Sequence, residues 1–149
     1  MINRFEQFSS SISTIYKYLQ KLEKIGMEKY NLKGSHTQCV ITMLKYPDGI
    51  SATELCSLCG KDKASISRSL AELEETGHIE RVSKSGNLYQ AKIRLTPSGV
   101  KAAEQVSQTV MRVVEKAGEG LSDDVRKLFY SSLDLICENL KNIYLAGEL

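Results

Sequence analysis

Two capped helical segments joined through a single glycine limit what this chain can fold into more than any other feature. Ser51 and Glu54 stand at capping-box spacing before Leu55, Cys56 and Leu58, and Gly60 supplies the stop. Asp62 caps a second segment almost at once, in which Ile66, Leu70 and Leu73 recur at four- and three-residue steps until Gly77. Two short helices with a tight glycine-containing link form a helix-turn-helix pattern. The stretch HIERVSKSGNLYQAKIRL follows, with Ile79 and Val82 before a Ser-Gly-Asn tip, then Tyr89, Ala91, Ile93 and Leu95 alternating with polar neighbours. That period of two, with its turn chemistry, predicts a β-hairpin.

Longer helices flank this centre. Phe5, Phe8, Ile12, Ile15, Leu19, Leu22 and Ile25 make one helical stripe, predicting an amphipathic helix over residues 3–29, with Tyr16 and Tyr18 beside the stripe. A helix of that length at a chain end is expected to pack on something beyond its own small core. Ser35 and Gln38 repeat the capping-box spacing and open an apolar pattern through Val40, Ile41, Met43 and Leu44, ended by Pro47-Asp48-Gly49. Thr96-Pro97 opens another helix carrying Val100, Ala103, Val106, Val110 and Val114, which Gly118 and Gly120 break. A last helix starts near Ser122, with Asp123 and Asp124 at its positive end, and runs through Val125, Leu128, Phe129, Leu133, Ile136, Leu140 and Ile143. The expected fold is mainly α with a small β-hairpin wing.

The 149 residues amount to one domain, and a chain of this size buries about 68–70% of its unfolded surface. No apolar run approaches the length of a bilayer span, and the N-terminus lacks the basic-then-apolar order of a secretory signal, so a cytoplasmic location is expected. Cys39, Cys56, Cys59 and Cys137 show no disulfide framework and read as free thiols. The net charge of +2 says little, but its distribution says more. Residues 1–50 carry 7 basic and 4 acidic side chains, residues 51–100 carry 7 and 6, and residues 101–149 carry 6 and 8, so the last third is least suited to face phosphate.

The segment from about Lys63 to Thr76 is polarised. Lys61, Lys63 and Arg68 crowd its start with Ser65, Ser67 and Ser69, and Glu72, Glu74 and Glu75 stand near its end. This order opposes the helix macrodipole, yet it suits a recognition helix that enters a DNA groove N-terminus first. Arg grips guanine bidentately, Ser donates or accepts, and Lys neutralises phosphate. Ser65, Ser67 and Arg68 are therefore the base-edge candidates. Lys61, Lys63, Lys84, Asn87, Lys92 and Arg94 are phosphate or wing candidates, the last two on one side of the returning strand.

The run ISATELCSLCGKDKASISRSLAELEETGHIERV, followed by a hairpin and RLTPSGV, resembles the winged helix-turn-helix core of the multiple-antibiotic-resistance regulator (MarR-type) family of transcription factors. Glu54-Leu55, Lys63, Ser67-Arg68, Leu70, Leu73, Gly77, Ile79, Arg81 and Leu95-Thr96-Gly99 carry the resemblance. It covers nearly the whole chain and implies a single domain over 1–149, with a DNA-binding core over about 35–96 and dimerisation helices over 1–30 and 97–149. It implies further a homodimeric, ligand-responsive repressor on a pseudo-palindromic double-stranded operator. A small phenolic or lipophilic effector would bind between the dimer helices and the winged domain, with Phe8, Tyr16 and Met43 as lining candidates. One departure stands out: the family's wing usually carries Asp-x-Arg, and this chain has SKSGNLYQAK, leaving Lys84 or Lys92 as substitutes.

Two other readings stay open on the residues. The modest charge and the absent wing arginine fit a winged helix used for protein contact. Cys56-Ser-Leu-Cys59 has the spacing of a redox pair or half a zinc site, but no second pair completes a tetrahedral site. Cys56 falls beside Leu55 and Leu58, where a buried thiol acts as a small hydrophobe. His36 and His78 read as helix-end surface residues rather than metal ligands. No cofactor loop, paired catalytic carboxylates or nucleophile-base spacing appears, so neither cofactor nor catalysis is expected.

Overall fold

A computed structural model describes residues 3–83, 86 and 91–147. Helix α1 spans Arg4–Glu28, a 3-10 turn Gly34–His36, α2 Thr37–Met43, α3 Ala52–Cys59 and α4 Lys63–Glu75. Strands β1 (Ile79–Val82) and β2 (Lys92–Leu95) follow, then α5 (Pro97–Ala117) and α6 (Asp123–Ala146). The chain divides into two compact units, residues 1–111 and 112–149.

In the first unit the core gathers Met27, Cys39, Val40, Met43, Ile50, Leu55, Ile66, Leu70, Leu73, Ile79, Ile93 and Ala103. The caps read from the sequence form where the chain needs them. The Ser51 amide donates to Glu54 Oε2 and the Glu54 amide to Ser51 Oγ, closing the box at the start of α3. Asp62 Oδ1 accepts from the Ser65 amide at 2.8 Å and opens α4. Between them Gly60 takes φ 60°, the left-handed conformation that ends α3 and turns the chain into α4.

The hairpin pairs antiparallel with Ile79 opposite Leu95 and Val82 opposite Lys92. Ile50, in the loop before α3, adds a bridge to Ile93, its amide donating to the Ile93 carbonyl and its carbonyl accepting the Ile93 amide. This ties the hairpin's base to the helix-turn-helix. At the far end of β2, Thr96 caps α5 by accepting the Gly99 amide on Oγ1, which itself donates to the Gly77 carbonyl.

Four expectations need correction. The Ser35–Gln38 box does not form, because a 3-10 turn occupies that stretch and His36 Nδ1 accepts the Lys33 amide at 3.2 Å. His36 and His78 are buried rather than superficial, at 2% and 8% exposure. Leu58, expected beside Leu55 in the interior, is exposed, and Cys56 and Cys59 are only half-buried. Ser69, grouped with the small donors of α4, lies in the core face with Ile66, Leu70 and Leu73.

The helical stripe of α1 meets little of its own unit: Phe5, Phe8, Ile12, Ile15, Leu19, Leu22 and Ile25 are all exposed, and Met27 alone among its residues is buried. In the second unit Ser122 caps α6 by accepting the Val125 amide, and no α6 residue is buried. Leu128, Phe129, Leu140 and Ile143 are exposed along it. Among the described residues, no helix is long and apolar enough to cross a membrane.

Candidate nucleic-acid interface

Helix α4 separates its two faces by helical spacing. Ile66, Ser69, Leu70 and Leu73, at steps of three, one and three, lock one face into the core. The opposite face begins with Lys63, Ser67 and Arg68, all exposed, and Ser65 half-buried beside them. Among the described residues no carboxylate pairs with Lys63 or Arg68. Their charges therefore remain available to an anion, at the helix end where the macrodipole also favours one.

The acidic end of α4 has a different occupation. Glu72 takes the Lys33 ammonium on Oε1 and the His36 ring on Oε2, the latter at 2.7 Å. Glu74 takes Arg81 Nε at 3.1 Å. Both carboxylates are thus spent holding α4 against the 3-10 turn and the hairpin, which accounts for acids standing at the helix end that the dipole disfavours. The Lys33 and His36 bonds hold the Glu72 carboxyl below the usual carboxylate range. His36 goes the other way from an ordinary ion-pair partner: burial outweighs Glu72 and lowers its pKa, so the ring is neutral and donates from Nε2 while Nδ1 accepts.

Other sequence candidates are placed less freely. Lys61 is half-buried, and its Nζ donates to the Ser35 carbonyl at 3.1 Å. Lys92 is exposed on β2, whereas Arg94 Nε donates across the hairpin to Glu80 at 2.7 Å. Lys84 and Asn87 lie outside the described residues. Of the effector candidates, Met43 is a core residue at 1% exposure and Phe8 is an exposed residue of α1. Tyr16 does line a cleft of about 910 Å³ beside the start of α4, together with Glu23, Lys33, Cys59 and Lys61. Burial there raises the Glu23 pKa, with Lys61 opposing the rise. The Lys33–His36–Glu72 clamp went unread in the sequence, since partners 39 and 36 positions apart leave no local pattern.

Residues 30–86 match the sequence model of the MarR family. The chain is 26% identical over 139 residues to an uncharacterised HTH-type transcriptional regulator of Bacillus subtilis (strain 168), YdgJ, covering 91% of this chain and 85% of that one. Among solved structures, a MarR transcriptional regulator from Methanosarcina mazei Go1 superposes with a TM-score of 0.79 at 21% identity, over 93% of this chain and 92% of the other. A MarR family regulator from Listeria monocytogenes complexed with 26mer DNA gives a TM-score of 0.83 at 18% identity, over 91% and 90%.

Proposed function

We propose that this chain is a member of the MarR family, whose model it matches over residues 30–86, and that it binds double-stranded DNA in a sequence-specific manner as a homodimer and represses transcription until a small effector releases it. Proteins of the family are transcription regulators, not enzymes. The observation that carries the reading is the exposed start of α4, where Lys63, Ser67 and Arg68, the two cations without a carboxylate partner among the described residues, project from a helix whose Glu72 and Glu74 are already bound to the protein. Arg68 is the base-edge reader, with Ser65 and Ser67 beside it, and Lys63 and Lys92 neutralise phosphate. The similar Listeria monocytogenes protein, solved with DNA, supports the same class of ligand here.

The exposed apolar stripes of α1 and α6 support their assignment as dimerisation helices. Two recognition helices would then read the two halves of a pseudo-palindromic operator in successive major grooves. We assign an effector of phenolic or lipophilic character to the cleft beside α4, where Tyr16 offers an exposed ring. Arg94 is held by Glu80, so Lys92 is the wing's contribution among the described residues.

Fluorescence anisotropy with DNA from the protein's own upstream region, at two salt concentrations, tests the assignment. Arg68→Ala is expected to lose about 1–3 kcal/mol of specific binding, with wild-type affinity falling steeply as salt rises. Duplex binding that is insensitive to salt, or absent on every operator tried, turns the reading toward a winged helix that docks on protein.

A further inference from the structure

Helix α4 carries its clamp and its base-edge candidates on one stripe. Ser65, Arg68 and Glu72 follow one another at steps of three and four, which stack on the same side of a helix, here beside the face that Ile66, Leu70 and Leu73 bury. Whatever sets the rotation of α4 at Glu72 therefore sets it at Arg68. The Glu72 carboxylate takes the Lys33 ammonium and the His36 ring, with Nε2 2.7 Å from Oε2. These two bonds differ in kind. The Lys33 side chain is exposed, where solvent screens an ion pair, whereas the His36 ring is closed off from solvent and fixed in place.

That ring is held from behind as well. Its Nδ1 accepts the Lys33 amide at 3.2 Å, and the His36 amide donates to the Lys33 carbonyl at 2.9 Å, so the 3-10 turn and the ring brace each other. The turn itself sits on α1, so closely that a Cβ at Gly34 would lie 3.0 Å from the Lys24 amide nitrogen. A chain of contacts thus runs from α1 through Gly34 and His36 to Glu72 of α4. We propose that His36 and Glu72 are positioning residues for DNA reading: the hydrogen bond between them sets the rotation of α4 against α1, and with it the aim of Arg68 at a base edge. This role rests on the function proposed above.

Apolar packing does not fix that rotation to the precision a base contact needs. Helices that meet through side-chain ridges scatter by about 15–20° around their preferred angles, and a rotation of that size carries a side-chain tip about 5–6 Å from the helix axis through about 2 Å. Hydrogen bonds hold only over about 2.7–3.2 Å between heavy atoms. Such a rotation therefore breaks a bidentate Arg68 grip on guanine, while phosphate contacts, which need only a nearby charge, survive it. A directional bond at the flank of α4 removes the freedom. On the other flank Ser67 and Glu74 share a side and Glu74 is held by Arg81, but both partners of that pair are exposed. Loss of the His36 bond is expected to reduce discrimination between sequences more than affinity for DNA as such.

Glu72→Ala and Glu72→Gln separate this role from charge. Both remove one carboxylate and free Lys33, and only Gln leaves an acceptor for the His36 Nε2–H. Fluorescence anisotropy is read on two duplexes, one recovered by the wild-type protein from a randomised pool and one with the same bases in shuffled order, with melting curves alongside. For Glu72→Ala the ratio of the two affinities should fall about tenfold, the scale of one misread base pair, with the shuffled duplex bound as tightly as by wild type or more so. Glu72→Gln should keep most of the ratio. His36→Leu should follow Glu72→Ala, and the double variant should fall no further, as befits two partners in one contact. Partial unfolding lowers both affinities alike and leaves their ratio untouched, so a loss of fold does not imitate this result. A Glu72→Ala ratio equal to wild type, or a Glu72→Gln ratio as low as that of Glu72→Ala, overturns the proposal. A wild-type protein that recovers no duplex from the pool overturns the regulator reading, and the positioning role with it.

Discussion

At the scale of single residues, His36 does the most unusual work. Its ring is closed off from solvent with both nitrogens occupied, Nδ1 accepting the Lys33 amide and Nε2 facing Glu72. That arrangement suits the neutral ring with its proton on Nε2; a second proton would set Nδ1–H against the Lys33 N–H. Burial accordingly lowers the His36 pKa from 6.5 in spite of Glu72, and burial lowers that of His78 too. For a histidine depressed in the folded state, the unfolded chain binds more protons, so stability rises with pH across the interval between the two pKa values. The contribution is complete above 6.5 and disappears as pH falls through the lower, folded value. Urea midpoints measured at steps from pH 7.5 to 5 should therefore decline for wild type. His36→Gln should start lower at pH 7.5 and decline less steeply, with His78 supplying the slope that remains. Parallel curves for the two proteins would show that His36 takes up its proton at the same pH in the folded as in the unfolded chain.

At the scale of elements, what the sequence displayed was whatever repeats or caps within a few residues. Helices α1, α3, α4 and α6 and their caps at Ser51, Asp62 and Ser122 are local events, and so is the hairpin, whose alternation sets its register. Even the burial of Ser69 was legible, because it stands three residues after Ile66 and one before Leu70 on the face those residues define. The start of α4 was readable for the same reason, as Lys63, Ser67 and Arg68 fall off that buried face. What stayed hidden depends on distant partners: the turn at Gly34–His36 and the clamp on Glu72. The corner between β2 and α5 belongs to this class. Thr96 and Gly99 resemble a helix-start pattern, but the structure adds that a Cβ at Gly99 would lie 1.9 Å from the His78 carbonyl oxygen. Backbone cannot retreat there as a flexible side chain would, since the Thr96 amide is hydrogen-bonded to that same carbonyl. Gly99→Ala should cost about 3 kcal/mol, the upper range for overpacking, lowering the melting temperature by about 2–4 °C for each kcal/mol. An unchanged melting curve would mean that α5 slides along His78 at little expense.

At the scale of the whole molecule, each compact unit leaves an apolar face without cover. In the first, α1 exposes Phe5, Ile15, Leu19 and Leu22; in the second, α6 exposes Leu128, Phe129, Leu140 and Ile143. Contiguous apolar stripes of this extent are uncommon on a monomer and mark a surface that packs on another chain. The expected state is therefore a dimer, and DNA affinity should depend on it. Leu19→Lys combined with Phe129→Glu places a charge on each face without touching the core or α4. Sedimentation equilibrium should give twice the chain mass for wild type and a single chain for the double variant, with the far-ultraviolet helix signal retained. A monomer carries one recognition helix, so it contacts about half the phosphates. Because the slope of log affinity against log salt counts phosphates neutralised, at about 0.9 for each, that slope should fall by about half along with the affinity. A variant that dissociates yet keeps the wild-type slope would place all the DNA contacts in one protomer. A variant that stays dimeric would assign the interface to faces other than α1 and α6.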